Sequence, residues 1–344
     1  MKGTENMYSQ AMRVARKTLT IVALITLSAC FGLTGPEQPT SGPGGTDYLF
    51  DFVAPVVTGG SLANKWAVYE PTLEENQRVP APGPLPVIVF VHGYQLVPDP
   101  DDYKEFIEHL VKHGYIVIYP YYQVLLTLPR YYVNTATRGI LGALDHITSN
   151  PLQHAQPLYD GDQMSLGMIG HSMGGVIAAS LTANWQEQGI PRPLALMTLM
   201  AGSGGSNPPY HWLTRPIDPD TNMLVVVASE DATTEDEGSR SIWEHTSQID
   251  NSRRDWILVK SDRYGDTEED WIVADHLSPG TSNVVDALDY YGYWKWATAL
   301  MNHTFFGTDG DYALGNTHNQ RYMGTWADGQ PVVEAEVYDH PVWP

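Results

Sequence analysis

The chain has 344 residues, of which 42% are hydrophobic and 11% aromatic. That is enough apolar material for one large hydrophobic core, and it excludes an intrinsically disordered chain. Acidic residues number 40 against 19 Lys and Arg, for a formal net charge of -21. This charge argues against a nucleic-acid partner, because phosphate backbones would be repelled.

The N-terminus has the layout of an export signal. An apolar run at 19–27 follows a basic segment and is ended by small and polar residues. The basic residues are Arg13, Arg16 and Lys17. A membrane-spanning helix needs about 20 apolar residues, so this run is too short to be one. We therefore expect residues 1–29 to be a signal peptide that is removed on export.

The end of this signal, Leu-Ser-Ala-Cys at 27–30, resembles the lipobox of bacterial lipoproteins. The resemblance implies that Cys30 becomes the lipidated first residue of the mature chain. Cys30 is the single cysteine of the sequence, so an exported chain cannot use it for an internal disulfide. We expect a bacterial cell-envelope lipoprotein, anchored to the membrane through Cys30. The alternative is an ordinary signal peptide cleaved nearby, and a secreted protein.

The segment after Cys30 is rich in Gly, Pro, Ser and Thr, which predicts a flexible tether over 30–47 and a single folded domain over 48–344. Within this domain, apolar runs typical of strands alternate with stretches of helical spacing. The apolar runs lie at 87–91, 115–119, 164–169, 194–200, 223–228 and 256–260. The helical stretches lie at 102–113, 135–148, 173–188, 239–250 and 284–302. This order predicts an α/β fold with a mostly parallel central sheet flanked by helices, and an irregular tail after residue 324.

A nucleophile motif stands between the third strand and its helix. The sequence at 170–175 is Gly-His-Ser-Met-Gly-Gly, which contains the G-x-S-x-G pattern. The serine of this pattern occupies a tight strand-to-helix turn, where Gly170 and Gly174 avoid collisions with neighbouring backbone. We therefore predict Ser172 as the nucleophile.

A serine hydroxyl needs a base to take its proton and a carboxylate to orient that base. Asp231 follows the strand at 223–228 and is the predicted acid, with the adjacent Glu230 as its rival. His276 follows the last predicted strand, precedes the last helix and is the predicted base. The other downstream histidines fit this position less well: His211, His245 and His303.

The tetrahedral intermediate needs two N–H donors for its oxyanion. One is predicted to be the Met173 N–H, directly after the nucleophile. The other is predicted to be the Tyr94 N–H, on the glycine turn His92-Gly93-Tyr94 after the first strand. His92 itself is expected to brace this loop.

Only a short, proline-containing segment connects the runs that end at 200 and begin at 223. It leaves no room for a large cap domain, so the site should open directly to solvent. Aromatic residues on the surrounding loops could form an apolar shelf for substrate, although core packing is the alternative for each of them. The predicted substrate-binding residues are Tyr121, Tyr122, Trp212 and His171.

With these motifs the sequence resembles the α/β-hydrolase superfamily over nearly all of the mature chain. The motif at 170–175 and the position of Tyr94 resemble bacterial cutinases and polyester hydrolases. The block at 87–122 is similar to chlorophyllase-like and dienelactone-hydrolase-like esterases. Two features depart from the cutinases: His92 stands where they carry proline, and one cysteine cannot form their C-terminal disulfide.

The resemblance implies hydrolysis of carboxylic esters, and with the predicted triad this indicates a serine-dependent enzyme that acts through an acyl-enzyme on a small or polymeric ester. The sequence has no H-E-x-x-H motif and no Cys/His cluster, so we expect no metal, and we expect no cofactor. Two alternatives stay open at this point. One is a non-catalytic surface-binding module with the hydrolase fold. The other is acyl transfer to an alcohol or to peroxide, because other nucleophiles can intercept the same acyl-enzyme.

Overall fold

A computed structural model describes residues 35–95, 97–124, 127–202, 214–264, 267–280 and 284–343. The predicted signal peptide, Cys30 and Trp212 lie outside these residues. No helix in the described part of the chain has both the length and the apolar character needed to span a bilayer.

The core of the fold is a sheet of nine strands in the order β13-β12-β11-β10-β9-β5-β6-β3-β2. Its strands are β2 (Val57–Gly59), β3 (Trp66–Tyr69), β5 (Val87–Val91), β6 (Ile116–Pro120), β9 (Leu166–His171), β10 (Ala195–Leu199), β11 (Asn222–Ala228), β12 (Arg254–Val259) and β13 (Glu336–Tyr338). The run from β6 to β12 is parallel, whereas β2, β3 and β13 pair antiparallel at the two edges. Short strands also form two separate pairs: β1 (Phe52–Val53) with β4 (Pro71–Thr72), and β7 (Tyr159–Asp160) with β8 (Gln163–Met164).

The central strands are buried at every position because helices cover both faces of the sheet. The longer helices are α1 (Lys104–Lys112), α2 (Tyr132–Ser149), α3 (Met173–Ala183), α5 (Glu237–Glu244) and α6 (Trp294–Phe306). One-turn helices are α4 (Trp185–Gln188), α7 (Gly310–Ala313) and α8 (His318–Arg321). One hydrophobic cluster includes residues of α1 and α6, which cover one face of the sheet. A second cluster includes residues of α2, α3 and α5, which cover the other face. The predicted α/β fold is confirmed.

Two parts of the fold differ from the sequence predictions. The short strands before β5 were not predicted, because runs of two to four residues give little periodic signal. The tail was predicted to be irregular, but it contains β13, which pairs with β12 through Trp256 and Tyr338. An edge strand of three residues is defined by its partner and not by its own sequence.

Residues of the predicted tether pack against the domain. Pro36, Pro43 and Gly44 are buried. His109 donates from Nε2 to the Pro43 carbonyl at 2.9 Å, and Tyr290 donates its hydroxyl to the Pro36 carbonyl. A Cβ on Gly44 would lie 1.7 Å from the Tyr290 carbonyl oxygen, so only glycine fits there. In the structure this stretch of the predicted tether is therefore docked on the domain.

Candidate active site

Ser172 occupies the sharp turn between β9 and α3. Its φ is +54°, in the left-handed region, and its N–H donates to the Leu199 carbonyl at 2.8 Å. The neighbouring glycines are required by close backbone approach. A Cβ on Gly174 would lie 2.1 Å from the Val91 carbonyl oxygen, and one on Gly170 would lie 2.2 Å from the Gly174 carbonyl oxygen. The turn projects the Ser172 side chain from the carboxyl end of the sheet.

The structure brings Ser172, His276 and Asp231 into one line of hydrogen bonds. His276 Nε2 lies 2.9 Å from Ser172 Oγ, and His276 Nδ1 lies 2.9 Å from Asp231 Oδ2. A carboxylate accepts only, so Nδ1 carries the proton and Nε2 is left to accept the serine hydroxyl proton. This arrangement can activate the hydroxyl as a nucleophile.

Asp231 follows β11, and its buried carboxylate accepts several hydrogen bonds. Its Oδ1 accepts from the Thr233 and Thr234 N–H groups at 2.8 and 2.9 Å, and its Oδ2 accepts from Thr234 Oγ1 at 2.6 Å. Burial raises the pKa of Asp231, but hydrogen bonds from His276 and Thr234 outweigh it and hold the pKa below its ordinary value. Asp231 is therefore a carboxylate at neutral pH.

The rival acid, Glu230, faces away from this line. Its carboxylate pairs with the Arg263 guanidinium at 2.5 Å, and that hydrogen bond lowers its pKa. Its own backbone N–H donates to the Ala274 carbonyl at 3.0 Å and so joins the acid loop to the histidine loop. Glu230 thus holds His276 near Asp231 through its backbone.

The remaining histidine candidates lie elsewhere. His245 is exposed at the end of α5 and bonds the Ser241 carbonyl at 2.7 Å. His303 is in α6, where its ring would touch a Cβ placed on Gly310. His211 lies outside the described residues. His276 alone among the described candidates reaches Ser172.

The two predicted oxyanion donors follow two paired strands, β9 and β5. Met173 is the first residue of α3, and Tyr94 follows β5 at the pocket wall. Within the described part of the chain, neither the Met173 N–H nor the Tyr94 N–H donates to a backbone carbonyl. Gly202, which the sequence analysis missed, borders this space. A Cβ there would lie at ordinary contact distance from Ser172 Oγ and the Met173 nitrogen, 3.5 and 3.7 Å, but only 2.8 Å from the Thr234 methyl carbon.

His92 packs beneath the Tyr94 loop. Its ring stacks on Tyr119 and Tyr122, with ring centres 5.1 and 4.3 Å away, and its Nδ1 lies 2.6 Å from the Gly93 carbonyl oxygen. Burial lowers its pKa to about 3, so the ring is neutral and Nδ1 donates to Gly93.

A pocket of about 430 Å³ opens onto Ser172 and His276. Its apolar lining includes Tyr94 and Leu277, which are 56% and 62% exposed. The complete lining is Gly93, Tyr94, Gln95, Asp102, Tyr103, His171, Ser172, Thr233, His276, Leu277 and Gly280.

Comparison with known proteins supports this assignment of fold. Residues 77–201 match the model of the Chlorophyllase family. The chain has the α/β-hydrolase fold. The match runs from before β5 to just past β10, so it includes the Tyr94 loop and Ser172 but neither Asp231 nor His276. No curated protein matches the chain significantly. At this coarse level the chain is a hydrolase.

Two of the predicted substrate-binding residues, Tyr121 and Tyr122, do not line this pocket. Tyr122 is fully buried against His92. Tyr121 is 7% exposed, and its ring belongs to the hydrophobic core. Its N–H donates to the Lys65 carbonyl at 2.8 Å, so the chain still runs beside β3 at this residue. His171 does line the pocket, but both its ring nitrogens are engaged within the protein.

Thr234 is a further residue that the sequence analysis missed. It lies three residues after Asp231, the spacing at which an Asp side chain caps its own turn, so this signal was available. Among the described residues, no group of three or more His, Cys, Asp or Glu side chains could hold a metal ion.

Proposed function

We propose that the protein is a serine-dependent carboxylic ester hydrolase that uses Ser172, His276 and Asp231. The observation that carries the proposal is the unbroken hydrogen-bond line, with 2.9 Å from Asp231 to His276 and 2.9 Å from His276 to Ser172. A buried, ionised Asp231 orients the imidazole and stabilises the imidazolium that forms during reaction. The family match supports the hydrolase class and, by its name, an ester as substrate.

In the first half-reaction Ser172 Oγ attacks the ester carbonyl carbon while its proton moves to His276 Nε2. The carbonyl oxygen becomes an oxyanion, which the N–H groups of Met173 and Tyr94 would stabilise. Collapse of the tetrahedral intermediate breaks the ester C–O bond, and His276 gives its proton to the leaving alkoxide. The products are an alcohol and an acyl-enzyme on Ser172.

In the second half-reaction water replaces the alcohol. His276 takes a proton from water as the oxygen attacks the acyl carbon, and then returns that proton to Ser172 Oγ. A carboxylic acid leaves and the enzyme is restored. The open, partly apolar pocket supports esters whose chain can lie along Tyr94 and Leu277.

The test is hydrolysis of p-nitrophenyl esters of increasing acyl length, together with labelling by a serine-directed phosphonate. Ser172→Ala should lose the label and reduce kcat roughly 10⁴-fold or more. Ser180→Ala removes a different buried serine, in the helix α3 that follows Ser172, and is the control that should keep both the label and the activity. An active, unlabelled Ser172→Ala protein would overturn the proposal, and absence of all labelling would favour the binding-module alternative.

We also propose that the protein is exported and anchored to the bacterial cell envelope by a lipid on Cys30. The sequence layout at 1–30 supports this, and its test is given among the predictions below.

A further inference from the structure

A second chain of hydrogen bonds runs along the pocket wall, through Tyr103 and His171. Tyr103 ends the short turn that leads into α1, and its buried hydroxyl lies between two groups. The Gly93 N–H donates to it at 3.1 Å, and His171 Nδ1 lies 2.7 Å from it. On its other side, His171 Nε2 lies 2.7 Å from the backbone carbonyl oxygen of His276.

The donor and acceptor of each bond in this chain can be worked out from its last member, the His276 carbonyl. A backbone carbonyl accepts only, so His171 Nε2 carries a proton and donates to His276. Burial lowers the pKa of His171 to about 3, so the ring is neutral and its Nδ1 can only accept. Burial also raises the pKa of Tyr103, which therefore keeps its proton and donates it to Nδ1.

One arrangement therefore satisfies every member: Gly93 N–H to Tyr103, Tyr103 O–H to His171, and His171 N–H to the His276 carbonyl. The groups are also in close contact. A Cβ on Gly93 would lie 3.2 Å from His171 Nδ1 and 3.3 Å from both Ser172 Cβ and the Tyr103 hydroxyl.

We propose that Tyr103 and His171 are positioning residues that hold the oxyanion loop at Gly93 and the base His276 in a fixed relation to Ser172. This inference rests on the proposed function. Gly93 precedes the Tyr94 donor, and His171 precedes the nucleophile. The chain therefore joins the three loops on which acyl transfer depends. Small displacements of such groups lower the rate strongly, because catalysis needs the reacting atoms in near-attack geometry.

The first experiment removes only the bridging hydroxyl. In Tyr103→Phe, kcat should fall about 10-fold while KM stays within about twofold, because substrate still enters the same pocket. Each kcat is divided by the number of sites that a phosphonate titrates, so a smaller folded fraction does not count as a catalytic loss.

The matched control is Tyr115→Phe. Tyr115 is equally buried, and its hydroxyl donates to the Asn302 side chain. It lies just before β6, at the opposite end of the sheet from the pocket. This variant should lose a buried hydrogen bond and keep the kcat per titrated site.

The second experiment is a double-mutant cycle with His171→Phe, which keeps a ring in place but cannot bridge. If the two residues act through one chain, the double variant should lose about as much kcat as His171→Phe alone. Losses that multiply, or a Tyr103→Phe protein with the kcat of the wild type, would overturn the positioning role while leaving the proposed function intact. Activity that survives in Ser172→Ala would instead overturn the proposed function.

Discussion

Asp231 Oδ2 lies 2.9 Å from His276 Nδ1, although 45 residues separate them in the chain. The adjacent Glu230 points its carboxylate to Arg263 on the surface. The two neighbouring acidic residues thus have different environments: Asp231 is a buried partner of His276, and Glu230 belongs to an exposed ion pair. Because of this difference, substitutions at Asp231 and Glu230 should affect kcat differently.

Asp231→Asn should reduce kcat roughly 10⁴-fold with little change in KM, because an amide cannot fix the His276 tautomer or stabilise its charged form. Glu230→Gln is the matched control and should stay within about twofold of the wild type, since exposed ion pairs contribute little. Steady-state kinetics on a p-nitrophenyl ester gives both values. The reverse ranking would assign the acid role to Glu230.

The buried carboxyl group of Asp286 should make the free energy of unfolding depend on pH. Burial raises its pKa from 3.8 to about 6, so the folded state binds the proton more tightly than the unfolded chain does. The free energy of unfolding should therefore fall as pH rises from about 4 to about 6. Asp286→Asn removes the charge and keeps the oxygen that accepts the Leu288 N–H at 2.7 Å.

This variant should gain roughly 1–2 kcal/mol of stability at about pH 8 and nothing below about pH 4. Urea unfolding of the variant and the wild type at several pH values measures this difference in the free energy of unfolding. Asp289 has a pKa that burial also raises, and Glu105 lies near it, so only the difference between variant and wild type reports on Asp286. A gain that is equal at all pH values would contradict the prediction.

The docking of the segment at 36–45 can be tested at Gly44. Gly44→Ala would place a methyl group 1.7 Å from the Tyr290 carbonyl oxygen, so the segment must move off the domain. We expect a loss of roughly 1–3 kcal/mol in the free energy of unfolding and new protease cleavage within the segment. Gly35→Ala is the control, because no atom lies within 4 Å of its Cβ. Equal protease resistance in both variants would count against docking.

Lipidation is tested at Cys30. Expressed in a bacterial host, the wild type should incorporate labelled fatty acid and sediment with membranes, whereas Cys30→Ser should do neither. Six residue steps separate Cys30 from the docked Pro36, a span of at most about 20 Å, so the lipid would hold the domain close to the bilayer. A wild-type protein without label would leave secretion as the alternative.

The sequence by itself determined the elements whose signals are local. The strand at 87–91 is continuous in apolar residues because helices cover both of its faces, and it was predicted with its observed bounds. The turn around Ser172 was predictable because glycine is required wherever backbones approach closely, as Gly174 shows. The order of the strands was enough to predict Asp231 and His276 as acid and base, but it left Glu230 as a rival of Asp231.

The tertiary structure decided everything that depends on contacts between distant segments. Tyr103 and His171 are 68 residues apart, and no periodicity or spacing connects them. Tyr121 and Tyr122 could face either the pocket or the core, and only the pairing of the neighbouring strand selects the core. The docked segment at 36–45 looks like a tether because its binding comes from groups on the domain and not from its own apolar content. A local pattern records the burial and backbone shape of one element, whereas the partner of a side chain depends on how the elements pack together.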